Sequence, residues 1–161
     1  MTPTDSTISN DAFAPKRRAT VLVVDASPIS LIAMAAILDG QGYECICARS
    51  LDQAITAKSM GPLDLVICDC STDAPAALEM LLALRSGEDQ ADLPAILIAD
   101  AKWAGLEKKT EALSAVTRCL FKPLDPGSLL AIAEQLLIMP QIVASHRRRG
   151  TRPGRPGWVT L

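Results

Sequence analysis

The run Leu63-Asp64-Leu65-Val66-Ile67-Cys68-Asp69 limits the fold more than any other stretch of the chain. It opens after Gly61-Pro62, is apolar at every position from Leu65 to Cys68, and stops on a carboxylate. A strand that is apolar on both faces has to be covered above and below, as strands inside parallel sheets are. In open sheets of that kind ligands gather at the carboxyl ends of the strands, which is where Asp69 stands. A lone Asp after a strand is more commonly a turn or capping residue. How the other strands end decides between the two.

Thr20-Val21-Leu22-Val23-Val24 is a second such run and ends on Asp25. Residues 43–48, 94–99 and 118–121 read as three further strands, the last ending in Lys122-Pro123. Helices fall between them. Ser27-Pro28 is a cap followed by a first-turn proline, and Ile29, Ile32, Ala33, Ala36 and Ile37 recur on one face up to Gly40 or Gly42. Residues 51–58 form the next helix, and 76–85 another, with Leu78, Leu81 and Leu82 inward. Residues 103–115 have weaker helical character because of Gly105 and their charges. Asp125-Pro126 starts a last helix that runs to about Met139, where Pro140 is expected to follow its end. Strand and helix alternate five times, the pattern of an α/β, doubly wound five-stranded parallel sheet with helices on both faces.

Apolar residues make up 49% of the 161-residue chain but aromatics only 3%, so the core has to be filled with Ala, Leu, Ile and Val. No window approaches the roughly 18 apolar residues of a membrane span, and no apolar signal segment opens the chain. A cytoplasmic protein is expected. The cysteines Cys45, Cys47, Cys68, Cys70 and Cys119 read as reduced, buried thiols. The C-x-C spacing is too short to wrap a metal ion well. The net charge of −2 conceals a strongly acidic body. Residues 1–18 carry +1 and residues 141–161, with five arginines and no acids, carry +5, which leaves −8 between them. Three segments follow: a polar arm over 1–18, a domain over 19–140, and a basic Pro/Gly/Arg tail over 141–161.

Three strand ends thus carry Asp25, Asp69 and Lys122. On neighbouring strands, roughly 4.8 Å apart, they converge on one crevice. Two close carboxylates stay ionised only beside a cation, which is either the lysine or a hard divalent metal. A carboxylate so placed can accept a phosphoryl group.

The segments VLVVDASP, DLVICD, LPAILIAD and CLFKPLDPGSL are similar, in order and spacing, to the strand-end motifs of the receiver domain of bacterial two-component response regulators. The resemblance covers about residues 19–139. It implies a flavodoxin-like sheet of order 2-1-3-4-5, with Asp69 as acceptor of phosphate from a histidine kinase or phosphotransfer protein. It further implies that Lys122 contacts the phosphoryl group, with a cis bond to Pro123, and that Asp25, Asp69 and the backbone carbonyl of Ser71 hold Mg²⁺. Self-catalysed formation and hydrolysis of the acyl phosphate is the most catalysis expected. Otherwise the chain is not an enzyme.

Several positions depart from that family. Ala26 stands where a second acid is usual, so Mg²⁺ is expected to bind weakly. Ala99 replaces the usual Ser or Thr, Cys119 the mobile aromatic, and residues 71–77 the familiar loop after the acceptor. Asp100 brings a charge where a small residue is favoured. It repels phosphate, stands in for the missing metal ligand, or, as is more common, is a surface loop acid. With the hydroxyl and the ring both lost, phosphorylation is expected to leave residues 102–139 almost undisturbed. The expected function is that of an atypical receiver module acting on a downstream protein target through protein–protein contact, without an output domain. Two alternatives stand beside it. One is a phosphorylation-independent docking module. The other is nucleic-acid binding through the arginines and Trp158 of the tail.

Overall fold

β1 (Thr20–Val24), β2 (Glu44–Ala48), β3 (Leu65–Asp69), β4 (Ala95–Ala99) and β5 (Thr117–Phe121) form one sheet in the order β2-β1-β3-β4-β5. Every neighbouring pair is parallel. The doubly wound sheet and its order are therefore as expected. The computed structural model describes residues 17–87, 90–103, 105, 106, 108, 109 and 116–148, with only the backbone described for 139–148. The helices are α1 (Pro28–Asp39), α2 (Leu51–Lys58), α3 (Ala74–Leu84) and α4 (Pro126–Arg148), and Ala101–Trp103 forms a single 3₁₀ turn.

Alternation along the strands divides the interior into two cores. Leu22, Val24, Val66, Cys68, Leu97 and Ala99 point to one face and are covered by α2 and α3. Val21, Val23, Leu65, Ile67, Ile96 and Ile98 point to the other and are covered by α1 and α4. All twelve are at most 4% exposed, which explains why these strands are apolar without interruption.

The structure corrects several expectations. α1 buries Leu31, Met34 and Leu38, while Ile29 and Ile32 are 82% and 70% exposed and Ala33 and Ala36 also face outward. The helix is apolar nearly all round, so periodicity alone could not choose its inner face. The inner face is the one carrying Leu31, Met34 and Leu38, which pack in the core against the sheet. In α3 the inward residues are Ala77, Met80, Leu81 and Leu84, and Leu82 is exposed. That helix starts at Ala74, not 76, because Asp73 caps it by accepting from the Ala76 N–H, and Pro75 lies in its first turn. β2 starts at Glu44 instead of 43, and Cys47 on this edge strand is exposed; the five cysteines form no disulfide.

α4 does not stop at Met139. It continues through Pro140 to Arg148, so the segment assigned to the tail begins as helix. A proline removes one backbone bond and crowds the preceding turn, but no glycine follows until Gly150 to end the helix. Of the helix expected over 103–115, Leu106, Lys108 and Lys109 are helical and Trp103 closes the 3₁₀ turn; the remainder lies outside the described residues. The arm before Arg17 and the tail beyond 148 also lie outside them. Arg17 itself pairs with Asp64 at 2.8 Å, and Asp64 accepts from the Thr20 N–H at the start of β1.

A buried polar contact sits inside this frame, away from the strand ends. Arg85, at the end of α3, is 9% exposed and donates from Nε and Nη2 to the Leu93 carbonyl at 2.9 and 2.7 Å. Its Nη2 also reaches Thr117 Oγ1 at 2.8 Å, tying α3 and the entry to β4 to the first residue of β5. Burial pulls its pKa below the ordinary arginine value. Arg85→Ala strands a carbonyl and a fully buried hydroxyl, so it should lower unfolding free energy by about 2–4 kcal/mol. Urea denaturation checks this. A loss below about 1 kcal/mol would show that the clip contributes little beyond ordinary packing.

Candidate functional site

The registers place the charged strand ends together. Val24 lies beside Cys68 in the β1–β3 pairing, so Asp25 and Asp69 leave adjacent strands at the same edge. Asp25 donates its backbone N–H to the Ala48 carbonyl at 3.0 Å and accepts from the Ser27 N–H at Oδ1, 2.9 Å away. The residue that caps α1 therefore also orients this carboxylate. Asp25 is 5% exposed, and its Oδ2 is buried with no hydrogen-bond partner.

Asp69 is the last residue of β3. Its Oδ1 accepts from the Ser71 N–H at 2.8 Å, and its Oδ2 lies 2.7 Å from Lys122 Nζ. Lys122 is carried there by β5, with its N–H bonded to the Ala99 carbonyl at 2.9 Å, and its bond to Pro123 is cis. The structure thus brings Asp25, Asp69 and Lys122 to one cleft. The Ser71 backbone stands beside them, but its carbonyl accepts from the indole N–H of Trp103 at 3.3 Å.

The three charges are unequally balanced. Burial pushes the Asp69 carboxyl up, yet the hydrogen bonds from Lys122 and Ser71 and the lysine's charge bring it net below its ordinary value. The hydrogen bond to Asp69 raises the Lys122 pKa, with further help from the charges of Asp69, Asp100 and Asp25. Asp25 is pushed up, chiefly by burial and also by the charge of Asp69, against the Ser27 N–H and Lys122. Asp69 holds the lysine and Asp25 is left with an orphaned oxygen.

A buried carboxylate oxygen without a partner is a place for a cation. Among the described residues no group of three or more His, Cys, Asp or Glu is arranged to hold a metal. The donors that suit a hard divalent ion here are the carboxylates of Asp25 and Asp69, an oxygen pair acceptable to Mg²⁺, which keeps several waters. Cavities flank the pair on both sides. One of about 370 Å³ includes Ser30, Met34, Ile98 and Lys122, and one of about 300 Å³ includes Ala26, Arg49, Ser50 and Asp73.

Arg49, Asp73 and Trp103 were not among the residues the sequence singled out. Arg49 follows β2 and carries charge at a strand end, the same signal that found Lys122. Asp73 precedes an Ala-Pro pair typical of a helix start. Ala99 is fully buried and Cys119 packs against the core, so neither a hydroxyl nor a ring reaches the cleft from these positions.

The raised Asp25 pKa affects stability. Between the ordinary carboxylate value and the raised one, the unfolded chain is ionised while the folded one still holds its proton. Stability therefore falls as pH rises through that window and stays lower above it. Asp25→Asn keeps the Oδ1 acceptor for Ser27 and removes the charge. It should raise the melting temperature at neutral pH by about 2–4 °C, on the order of 1 kcal/mol, with the gain shrinking below about pH 4. Thermal melts at both pH values check this. An equal shift at the two would show that the charge is not the cause.

No protein-family profile matches the chain, and no curated protein does. Solved structures do. The chemotaxis protein CheY4 of Vibrio cholerae is 23% identical, with a TM-score of 0.65 over 74% of this chain and 99% of that one. A response regulator receiver protein from Pseudomonas putida is 24% identical, with a TM-score of 0.65 over 74% and 98%. A response regulator receiver domain protein from Clostridium thermocellum is 17% identical, with a TM-score of 0.68 over 78% and 98%. These likenesses agree with the sheet order and the parallel registers. The chain has the fold of the response regulator receiver domains.

Proposed function

We propose that this chain is a signalling receiver module that accepts a phosphoryl group on Asp69. The observation that carries the reading is the held carboxylate, with one oxygen on the Ser71 N–H and the other 2.7 Å from Lys122 Nζ, beside the buried Asp25. An oxygen of Asp69 forms the new bond to phosphorus while the bond from phosphorus to the donor's imidazole nitrogen breaks. The imidazole leaves with the electron pair. Lys122 keeps its proton and follows the negative charge from the carboxylate to the phosphoryl oxygens. The Ser71 N–H fixes the rotation of the acceptor. Mg²⁺ bound by Asp25, Asp69 and the Ser71 carbonyl would neutralise the carboxylates and the incoming phosphate.

A histidine kinase or phosphotransfer protein is the donor in this reading, and a protein target lies downstream. The site of action is the cytoplasm; among the described residues no helix is long and apolar enough to cross a membrane. Catalysis is limited to forming and hydrolysing the chain's own acyl phosphate. A second reading, a docking module that works without phosphate, is favoured by the apolar outer face of α1, where Ile29 and Ile32 lie open to solvent. Nucleic-acid binding by the tail concerns Arg147 and Arg148, described by their backbone alone at the end of α4, and residues beyond 148, which lie outside those described.

Incubation with a small phosphodonor and Mg²⁺, followed by intact-mass measurement, tests the reading. One added phosphate is expected on the natural chain and none on Asp69→Asn. An unmodified natural chain that still captures its partner would leave the docking reading in place. A modified Asp69→Asn chain would move the acceptor elsewhere.

A further inference from the structure

The peptide unit of Ser71 is engaged at both ends. Its N–H holds Asp69 Oδ1 at 2.8 Å, and its carbonyl accepts from the Trp103 indole at 3.3 Å. Trp103 ends the 3₁₀ turn after β4, where its backbone N–H bonds the Asp100 carbonyl at 3.0 Å. The ring is half-buried, packs against the core on the α2–α3 face, and lies under the Lys102 ammonium. It also borders a cavity of about 170 Å³ with Ala74, Pro75 and Leu78, so it has room to move.

A bond of 3.3 Å is at the long end for N–H···O and easily given up. A divalent cation held by Asp25 and Asp69 would draw on the electron pairs of the same carbonyl and repel the positive edge of the indole N–H. We propose that Trp103 and a divalent cation are alternative partners of the Ser71 carbonyl, so that loading the cleft releases Trp103 and the 3₁₀ turn Ala101–Trp103 that it closes. This rests on reading Asp25 and Asp69 as a divalent-cation cleft. It gives the chain a link from cleft to surface that needs neither a hydroxyl at Ala99 nor a ring at Cys119.

The test is a Mg²⁺ titration of the full chain, followed by calorimetry and by tryptophan emission. Trp158→Phe leaves Trp103 as the sole emitter. Its emission should shift to the red and saturate at the calorimetric Kd. Trp103→Phe keeps an aromatic ring in the core but loses the donor. It should bind Mg²⁺ about two- to tenfold more tightly, the range set by the net worth of one neutral hydrogen bond. Heat of binding with unchanged emission, or a Trp103→Phe chain that binds equally or more weakly, overturns the proposal and leaves the cleft standing. The absence of heat from every protein removes the cation cleft and the proposal with it. Should Trp103→Phe fail to fold, the emission of the Trp158→Phe chain decides alone.

Discussion

Two carboxylates share one ammonium at the edge of this sheet, and the arrangement of the cleft follows from that shortage. Lys122 pairs with Asp69 and meets the demand for charge balance at that residue. Asp25, buried to 5% exposure and bonded only through Oδ1, has no counter-charge in contact. A folded chain does not bury such a group without loss of stability. The group persists because the strands around it are tightly packed, and stability surrendered at one point in this way is characteristic of functional sites.

The packing that tolerates this comes from a sheet with little aromatic content. Leu22, Leu65, Ile67, Ile96, Leu97 and Ile98 are at most 1% exposed, with helices on both faces. Every strand leaves the sheet in the same direction, so the ends of β1, β3 and β5 are brought to one side by topology alone. Arg85 secures the opposite end, where α3, the approach to β4 and the start of β5 meet.

Legibility in the sequence followed the physics of each position. Asp25, Asp69 and Lys122 were readable because an apolar strand that stops on a charge leaves that charge nowhere to go but the edge. The inner face of α1 was not, because Ile29 and Ile32 are as apolar as Leu31 and Met34 and only packing against the sheet separates them. Pro75 read as loop until its cap, Asp73, was seen to place it in a first helical turn. Pro140 read as a terminator, yet α4 runs through it. The Trp103–Ser71 bond was beyond any pattern. It joins residues 32 apart and depends on where a backbone carbonyl points.

The order β2-β1-β3-β4-β5 has a kinetic consequence. Val24 and Cys68 pair directly although they stand 44 positions apart in the chain, with α1, β2 and α2 between them. The acid pair therefore does not exist in any fragment that has folded only locally, and closing so long a loop is among the slower events of folding. A ligand needing both carboxylates finds its site only after that crossover is made. It thus acts on the finished fold, slowing its unfolding while leaving the rate of folding nearly untouched. Occupancy of such a cleft would thus lengthen the chain's residence in the folded state.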